Sequence, residues 1–205
     1  MSNPNTIHED ITYMRRLAEA GRRGPIAGGA FLAAAGVVFS ITCLVQWAAT
    51  TGQLAITGPQ MAWIWFGSYV LFAVVWFALW FGLRSRRRAM AASSSNAVFG
   101  IAWIANAVGV LMAYATTAIA ASITHSQELF YAFIPMIFIF YGISWGLSAV
   151  MAHRRWMYLA AGGSFAFALG VAALTNNPAE LAVTGVALVI LLTLPGIKLM
   201  FEEPK

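Results

Sequence analysis

Charge is what this chain has least of. Only 9% of its 205 residues are Asp, Glu, Lys or Arg, against 60% hydrophobic, where a soluble domain carries about 25% charged and about 45–50% apolar residues. A soluble chain of this size cannot cover its surface with so few polar groups. That excludes a soluble enzyme, a nucleic-acid-binding domain and a disordered regulator. Cysteine is nearly absent too. The lone Cys43 excludes a disulfide framework and a cysteine-based metal site.

Acidic and basic side chains are also missing from the middle of every apolar stretch. Such residues mark proton relays, ion pathways and voltage sensors, so a proton-coupled antiporter, an ion pump and a voltage sensor all lack their usual parts. Lys198 can snorkel to an interface, and Glu128 and Glu180 stand at helix starts. His125 and His153 belong to opposite faces and cannot jointly hold a haem or a metal. No histidine, lysine or carboxylate is positioned to activate a mid-span serine. No catalytic, cofactor-binding or metal constellation is therefore expected, and the chain reads as non-enzymatic.

What is present is a series of apolar runs, each near the ~20 residues that cross a bilayer as a helix. Six spans are read at roughly 27–49, 61–83, 97–121, 129–151, 156–175 and 179–200. They must be helices, because hydrocarbon offers backbone groups no other partner and no alternating strands of barrel type occur. The expected fold is an all-α polytopic membrane protein in three parts. Residues 1–25 form a cytoplasmic segment, 26–201 a six-helix domain and 202–205 a tail.

The basic residues give the orientation. Arg15, Arg16, Arg22 and Arg23 precede the first span, Arg84, Arg86, Arg87 and Arg88 follow the second, Arg154 and Arg155 follow the fourth, and Lys198 and Lys205 close the chain. All 12 basic residues thus fall on one side, which the positive-inside rule makes cytoplasmic, with both termini inside. Topology and anionic lipid account for the net charge of +5, so nucleic acid is not an expected partner. A bacterial inner membrane suits this layout. The long first span, followed by others, does not read as a cleaved signal peptide.

Helix-start signals close the outer connections: Gly58-Pro59, Ser126 before Glu128, and Asn177-Pro178 before Glu180. Residues 6–20 read as a separate amphipathic helix. Thr6-Ile7-His8-Glu9 is a capping box, and Ile7, Ile11, Met14 and Leu17 share one face. It lies on the inner membrane surface or docks a cytoplasmic protein, with Arg15, Arg16, Ile11 and Met14 as the docking residues. The arginine pairs Arg22-Arg23, Arg87-Arg88 and Arg154-Arg155 recur with a weak threefold period, as any set of short-looped hairpins would.

The spans differ in kind. Small-residue ladders run along the odd-numbered ones: Gly28, Gly36 and Ser40; Ala105, Gly109, Ala113 and Thr117; Gly162, Ala166 and Gly170. Spans two and four are aromatic, with Trp65, Tyr69, Phe72, Trp76 and Trp80 in one and Phe138, Tyr141 and Trp145 in the other. Close backbone approach along the ladders places the odd spans centrally and the aromatic ones outside or bordering a groove. Pro135 and Pro195-Gly196 are expected to kink or shorten their helices.

Uncharged polar residues are all that remains for function. Asn106, Gln46 and Tyr141 are the candidates, either as contacts between helices or as hydrogen-bonding points for a neutral solute. Two functions follow. The favoured one is an accessory protein that binds the bilayer and another membrane or cytoplasmic protein, or a second copy of itself. The alternative is a channel or carrier for a small uncharged or apolar molecule.

Overall fold

The computed structural model describes residues 28–84 and 94–202. The 6–20 element, with Ile11, Met14, Arg15 and Arg16, lies outside the described residues, as do Arg86, Arg87 and Arg88. The described chain is helical throughout: α1 (Gly29–Thr50), α2 (Gly58–Gly82), α3 (Ser94–Thr124), a 3-10 segment (Gln127–Ala132), α4 (Phe133–Ala152), α5 (Arg155–Ala172), α6 (Ala179–Leu188), a π turn (Val189–Thr193) and α7 (Leu194–Glu202). There is no strand among the described residues. Five segments are long and apolar enough to cross a membrane: Gly29–Thr50, Gly58–Gly82, Asn96–Thr124, Glu128–Ala152 and Ala179–Glu202. The architecture fits an all-helical, multi-pass membrane protein.

Local chemistry sets the helix ends. Thr57 and Gln60 close α2 with a capping box, the Thr57 backbone N–H donating to Gln60 Oε1 at 2.8 Å. Pro59 sits in that first turn, where its missing N–H costs nothing. Asn177 Oδ1 accepts the Ala179 N–H at 2.9 Å and so caps α6. Ser126 opens a 3-10 segment rather than an α-helix, after a left-handed His125.

Neighbouring helices run antiparallel. Gln46 and Thr42 of α1 meet Trp65 and Ser68 of α2. Trp103 and Tyr114 of α3 meet Tyr141 and Phe133 of α4, while Phe138 and Trp145 of α4 meet Phe167 and Trp156 of α5. Arg154, in the turn between α4 and α5, forms an ion pair with Glu202 at the end of α7. The end of α7 is thereby held at the α4–α5 turn, and α5, of 18 residues, runs the length of the bundle between that turn and the start of α6.

The backbones of α1 and the α6–α7 segment approach closely. A Cβ on Gly196 would lie 2.5 Å from the Ala33 nitrogen and 2.6 Å from the Gly29 carbonyl oxygen. One on Gly36 would lie 2.7 Å from the Thr193 nitrogen. Ser40 Oγ completes the seam by donating to the Gly185 carbonyl at 2.8 Å. Without a hydrophobic drive between helices in lipid, such small-residue contact is what holds them together.

Several expectations are corrected. The fourth helix is central rather than peripheral: Phe138, Trp145 and Ala149 of α4 are fully buried. In α5 the ladder Gly162, Ala166 and Gly170 is exposed. The buried stripe is instead Met157, Ala161, Ser164, Ala168 and Val171 on the opposite face. Both stripes have helical spacing and both contain small residues, so spacing alone could not choose between them. In α3, Ala105 is exposed too, while Gly109 packs under Phe140. Pro135 makes no mid-helix kink, because it is the third residue of α4, where a proline breaks no helical hydrogen bond. The helix does not end at Pro195 either; it passes through a π turn just before it and continues to Glu202. The peripheral position read for span two is what α2 adopts, since none of its residues is buried.

Gly36→Leu should therefore lower stability by about 1–3 kcal/mol through overpacking, while Gly170→Leu should change it by less than about 0.5 kcal/mol. Thermal unfolding of the detergent-solubilised protein, followed by helical circular dichroism, measures both.

Candidate functional site

A polar atom inside a membrane helix bundle has few ways to be satisfied, so the satisfied ones are instructive. Ser148 Oγ donates to the Ser144 carbonyl and Ser164 Oγ to Ala160, one turn back at 2.6 and 2.8 Å, while Thr42 Oγ1 and Ser68 Oγ share a hydrogen bond of 2.7 Å in which one donates to the other and the other to the carbonyl one turn back. Trp65 Nε1 donates to Gln46 Oε1 at 2.7 Å, making Gln46 a bond between α1 and α2. Trp145 Nε1 donates to the Leu191 carbonyl at 3.1 Å. Leu191 stands four residues before Pro195, so this is the carbonyl that loses its helical donor to the proline. Trp145 replaces that donor.

Against this background two atoms of α3 stand out. Trp103 Nε1 and Asn106 Oδ1 are both buried and have no hydrogen-bond partner among the described residues. They are three residues apart and so share one helix face. Asn106 as a whole is 9% exposed. Leaving a buried donor or acceptor unmade costs about 1–3 kcal/mol in proteins, and lipid cannot supply the missing partner. The Trp103 ring packs against Tyr141, centroids 5.9 Å apart, and edge-on to Trp145 at 5.1 Å. Asn106 and Tyr141 thus belong to one α3–α4 interface, and Gln46 does not share it.

Cys43 of α1 is 4% exposed, whereas Tyr69 of α2 and Tyr114 of α3 are 55% and 49% exposed. Helix α2 packs substantially on α1 alone. Trp103 and Asn106 lie about two to three turns along α3 from Tyr114. Trp103, Asn106 and Tyr141 together offer an N–H donor, a carbonyl acceptor, a hydroxyl that does either, and no formal charge.

Of these residues, Asn106 and Tyr141 are legible in the sequence as polar interruptions of apolar helices. Trp103 is not, because a tryptophan near a span end reads as an interfacial anchor. Glu180 was also misjudged. It stands at the start of α6 as expected, but it is buried, and its Oε1 has no partner among the described residues. A cleft of about 640 Å³, open to the surface, lies at the same end of the bundle between Glu128, Tyr131, Met136 and Asn176. The chain matches no known protein family, none of the curated proteins and no solved structure.

The two indoles separate by substitution. Trp145→Phe strands the Leu191 carbonyl and should cost about 1–3 kcal/mol. Trp103→Phe removes a donor that bonds to nothing and should leave stability unchanged or raise it. The two melting temperatures in one detergent decide this; equal losses would mean that ring packing, not hydrogen bonding, governs both positions.

Proposed function

We propose that this chain is a multi-pass membrane protein that binds a small uncharged molecule beside Trp103 and Asn106 at the α3–α4 interface and serves as its carrier or channel. The observation that carries the reading is the pair of buried atoms, Trp103 Nε1 and Asn106 Oδ1, on one face of α3 without partners among the described residues. A donor and an acceptor side by side suit a ligand with a hydroxyl or amide group. The absence of charge from Trp103, Asn106 and Tyr141 suits a neutral one. The π turn at Val189–Thr193 supports the same reading, because π turns inside α-helices gather at functional sites. The accessory-protein reading draws on a different observation. Helix α2 touches mainly α1 and leaves Trp63, Phe66 and Phe81 outward, a face that a membrane partner could cover.

Native mass spectrometry of the protein in nanodiscs tests the first reading. The wild type should retain a small molecule of reproducible mass, and Asn106→Leu should lose it while remaining helical and monodisperse. Identical bulk lipid on both would overturn the reading, and a co-purifying polypeptide lost on altering Trp63 and Phe66 would favour the accessory protein.

We further propose six crossings with both termini on the cytoplasmic side of a bacterial inner membrane, α5 being the sixth. Its ~27 Å length is close to the ~30 Å hydrocarbon core, and the Arg154–Glu202 pair supports a full traverse. Burial lowers the Arg154 guanidinium from its ordinary value, yet it stays charged at any physiological pH and keeps its place at the basic end. Single cysteines at Gly52 and Asn176, in a Cys43→Ser background, should react with an impermeant maleimide from outside intact cells. One at Arg84 should react only after lysis. Labelling of Asn176 from the inside would mean that α5 does not cross.

A further inference from the structure

The open cleft of about 640 Å³ lies between the start of the α4 segment and the end of α5. Its lining changes character with depth. Glu128 and Tyr131, from the 3-10 segment before α4, and Asn176, after α5, supply polar groups. Pro135 and Ile139 of α4 and Ala172 of α5 supply the apolar part. Glu128–Ala152 is one continuous span, so Pro135 and Ile139 stand one to three turns further toward the middle of the bundle.

The 3-10 geometry aligns the polar end. Residues three apart in such a segment eclipse one another, so Glu128 and Tyr131 stand on one face. Pro135 and Ile139 continue that face at the helical spacing of four. Glu128, Tyr131 and Asn176 are exposed, and none of their side chains makes a hydrogen bond or ion pair among the described residues. The basic residues described, Arg84, Arg154, Arg155 and Lys198, all lie at the other end of the bundle. One negative charge thus stands at the mouth of an apolar cleft with no described cation to pair with it. A hydrated metal ion would gain nothing from the apolar floor, and a neutral amphiphile nothing from the carboxylate. A phospholipid would bring a phosphate as well, with no described Lys or Arg at this end to receive it.

We infer that this cleft binds an amphipathic amine, a single apolar chain that ends in a primary or quaternary ammonium group. The ammonium pairs with the Glu128 carboxylate and lies against the Tyr131 ring, as cations do over aromatic faces. The Asn176 carbonyl oxygen can accept from any ammonium N–H. The chain lies along Pro135, Ile139 and Ala172, where its apolar surface is shielded from water. The site shares no residue with Trp103, Asn106 and Tyr141, so it stands whether or not the α3–α4 interface binds a solute.

Photoaffinity labelling of the whole protein in phosphatidylcholine nanodiscs tests this. The probe, at trace concentration, is decylammonium with a diazirine on its chain, and peptide mass spectrometry should place the label within residues 131–139 and about Ala172. Decyltrimethylammonium and decanol then serve as competitors. Glu128→Gln should raise the decyltrimethylammonium concentration needed to displace the probe about fivefold, as for loss of a solvated ion pair, and leave that for decanol unchanged. Ile139→Trp, which fills the floor, should weaken both competitors; if it fails to fold, the Glu128→Gln comparison decides. Asn106→Leu should alter neither. Label spread evenly over the outward helix faces would overturn the proposal, as would a Glu128→Gln protein that treats both competitors as the wild type does. Displacement by phosphatidylethanolamine as readily as by decyltrimethylammonium would also overturn it and assign the cleft to phospholipid.

Discussion

The hydrogen bond from Trp145 to the Leu191 carbonyl organises the bundle, because it answers the break at Pro195 in the most buried of the apolar segments, Ala179–Glu202. Pro195 withholds an N–H from Leu191, and the helix absorbs the proline through the π turn at Val189–Thr193. In hydrocarbon an unpaired carbonyl would cost several kcal/mol. The donor comes from α4, and its indole is fully buried, so the bond also determines where α4 must lie. Around that ring gather Phe99 and Trp103 of α3 and Trp156 of α5. Three helices are thus arranged about a repair to a fourth. On its other side the same segment is clasped by α1, where Gly29 and Gly36 meet Gly196 and Thr193. Substitution at the seam and loss of the indole N–H act on opposite faces of one helix.

This explains what was legible in the chain and what was not. Apolar length and helix-start signals mark the helices well: the capping residues at Thr57 and Asn177 lie beside Pro59 and Pro178, and the aromatic face of α2 lies on α1 through Trp65, Phe72 and Trp76. Rotation about the helix axis was not legible. In a soluble helix the polar face points to water and the apolar face to the core. In lipid both faces are apolar, so Gly162-Ala166-Gly170 and Ala161-Ser164-Ala168 are equally good candidates for the packed side. The inward position of α4 was hidden for the same reason, since the aromatic face of Phe138, Tyr141 and Trp145 reads equally well as one turned to lipid until the Trp145 N–H is seen to have a partner.

The distribution of polar atoms carries more functional information than their number. Most hydroxyls in the helices are satisfied by a carbonyl one turn back, as at Ser148 and Ser164. Those residues are locally neutral and cost the fold little. Asn106, the candidate most visible in the sequence, differs because an amide in mid-helix cannot fold back in this way. Gln46 escapes the difficulty through Trp65, which makes it a tie between two helices and removes it from the solute site. Glu180 was discounted because a carboxylate at a helix start is ordinarily a solvated cap stabilised by the helix dipole. Its burial depends on how α6 is rotated, and one sequence carries no information on that rotation.

Helix α2 is the least attached helix of the bundle. It is held to α1 by two side-chain hydrogen bonds at 2.7 Å, Thr42 with Ser68 and Trp65 with Gln46, and by aromatic contacts from Phe31 and Phe39. Aromatic pairs of this kind contribute about 0.5–1.5 kcal/mol each, and the π turn, the glycine seam and the Trp145 bond involve no residue of α2. A displacement of α2 about α1 therefore leaves the core contacts intact while changing the separation of Tyr69 from Tyr114. The unpartnered atoms of α3 are buried at its contact with α4, and α2 is the helix with the fewest attachments. On the proposed reading, α3 supplies the fixed polar face and α2 the part that can move without unfolding the rest.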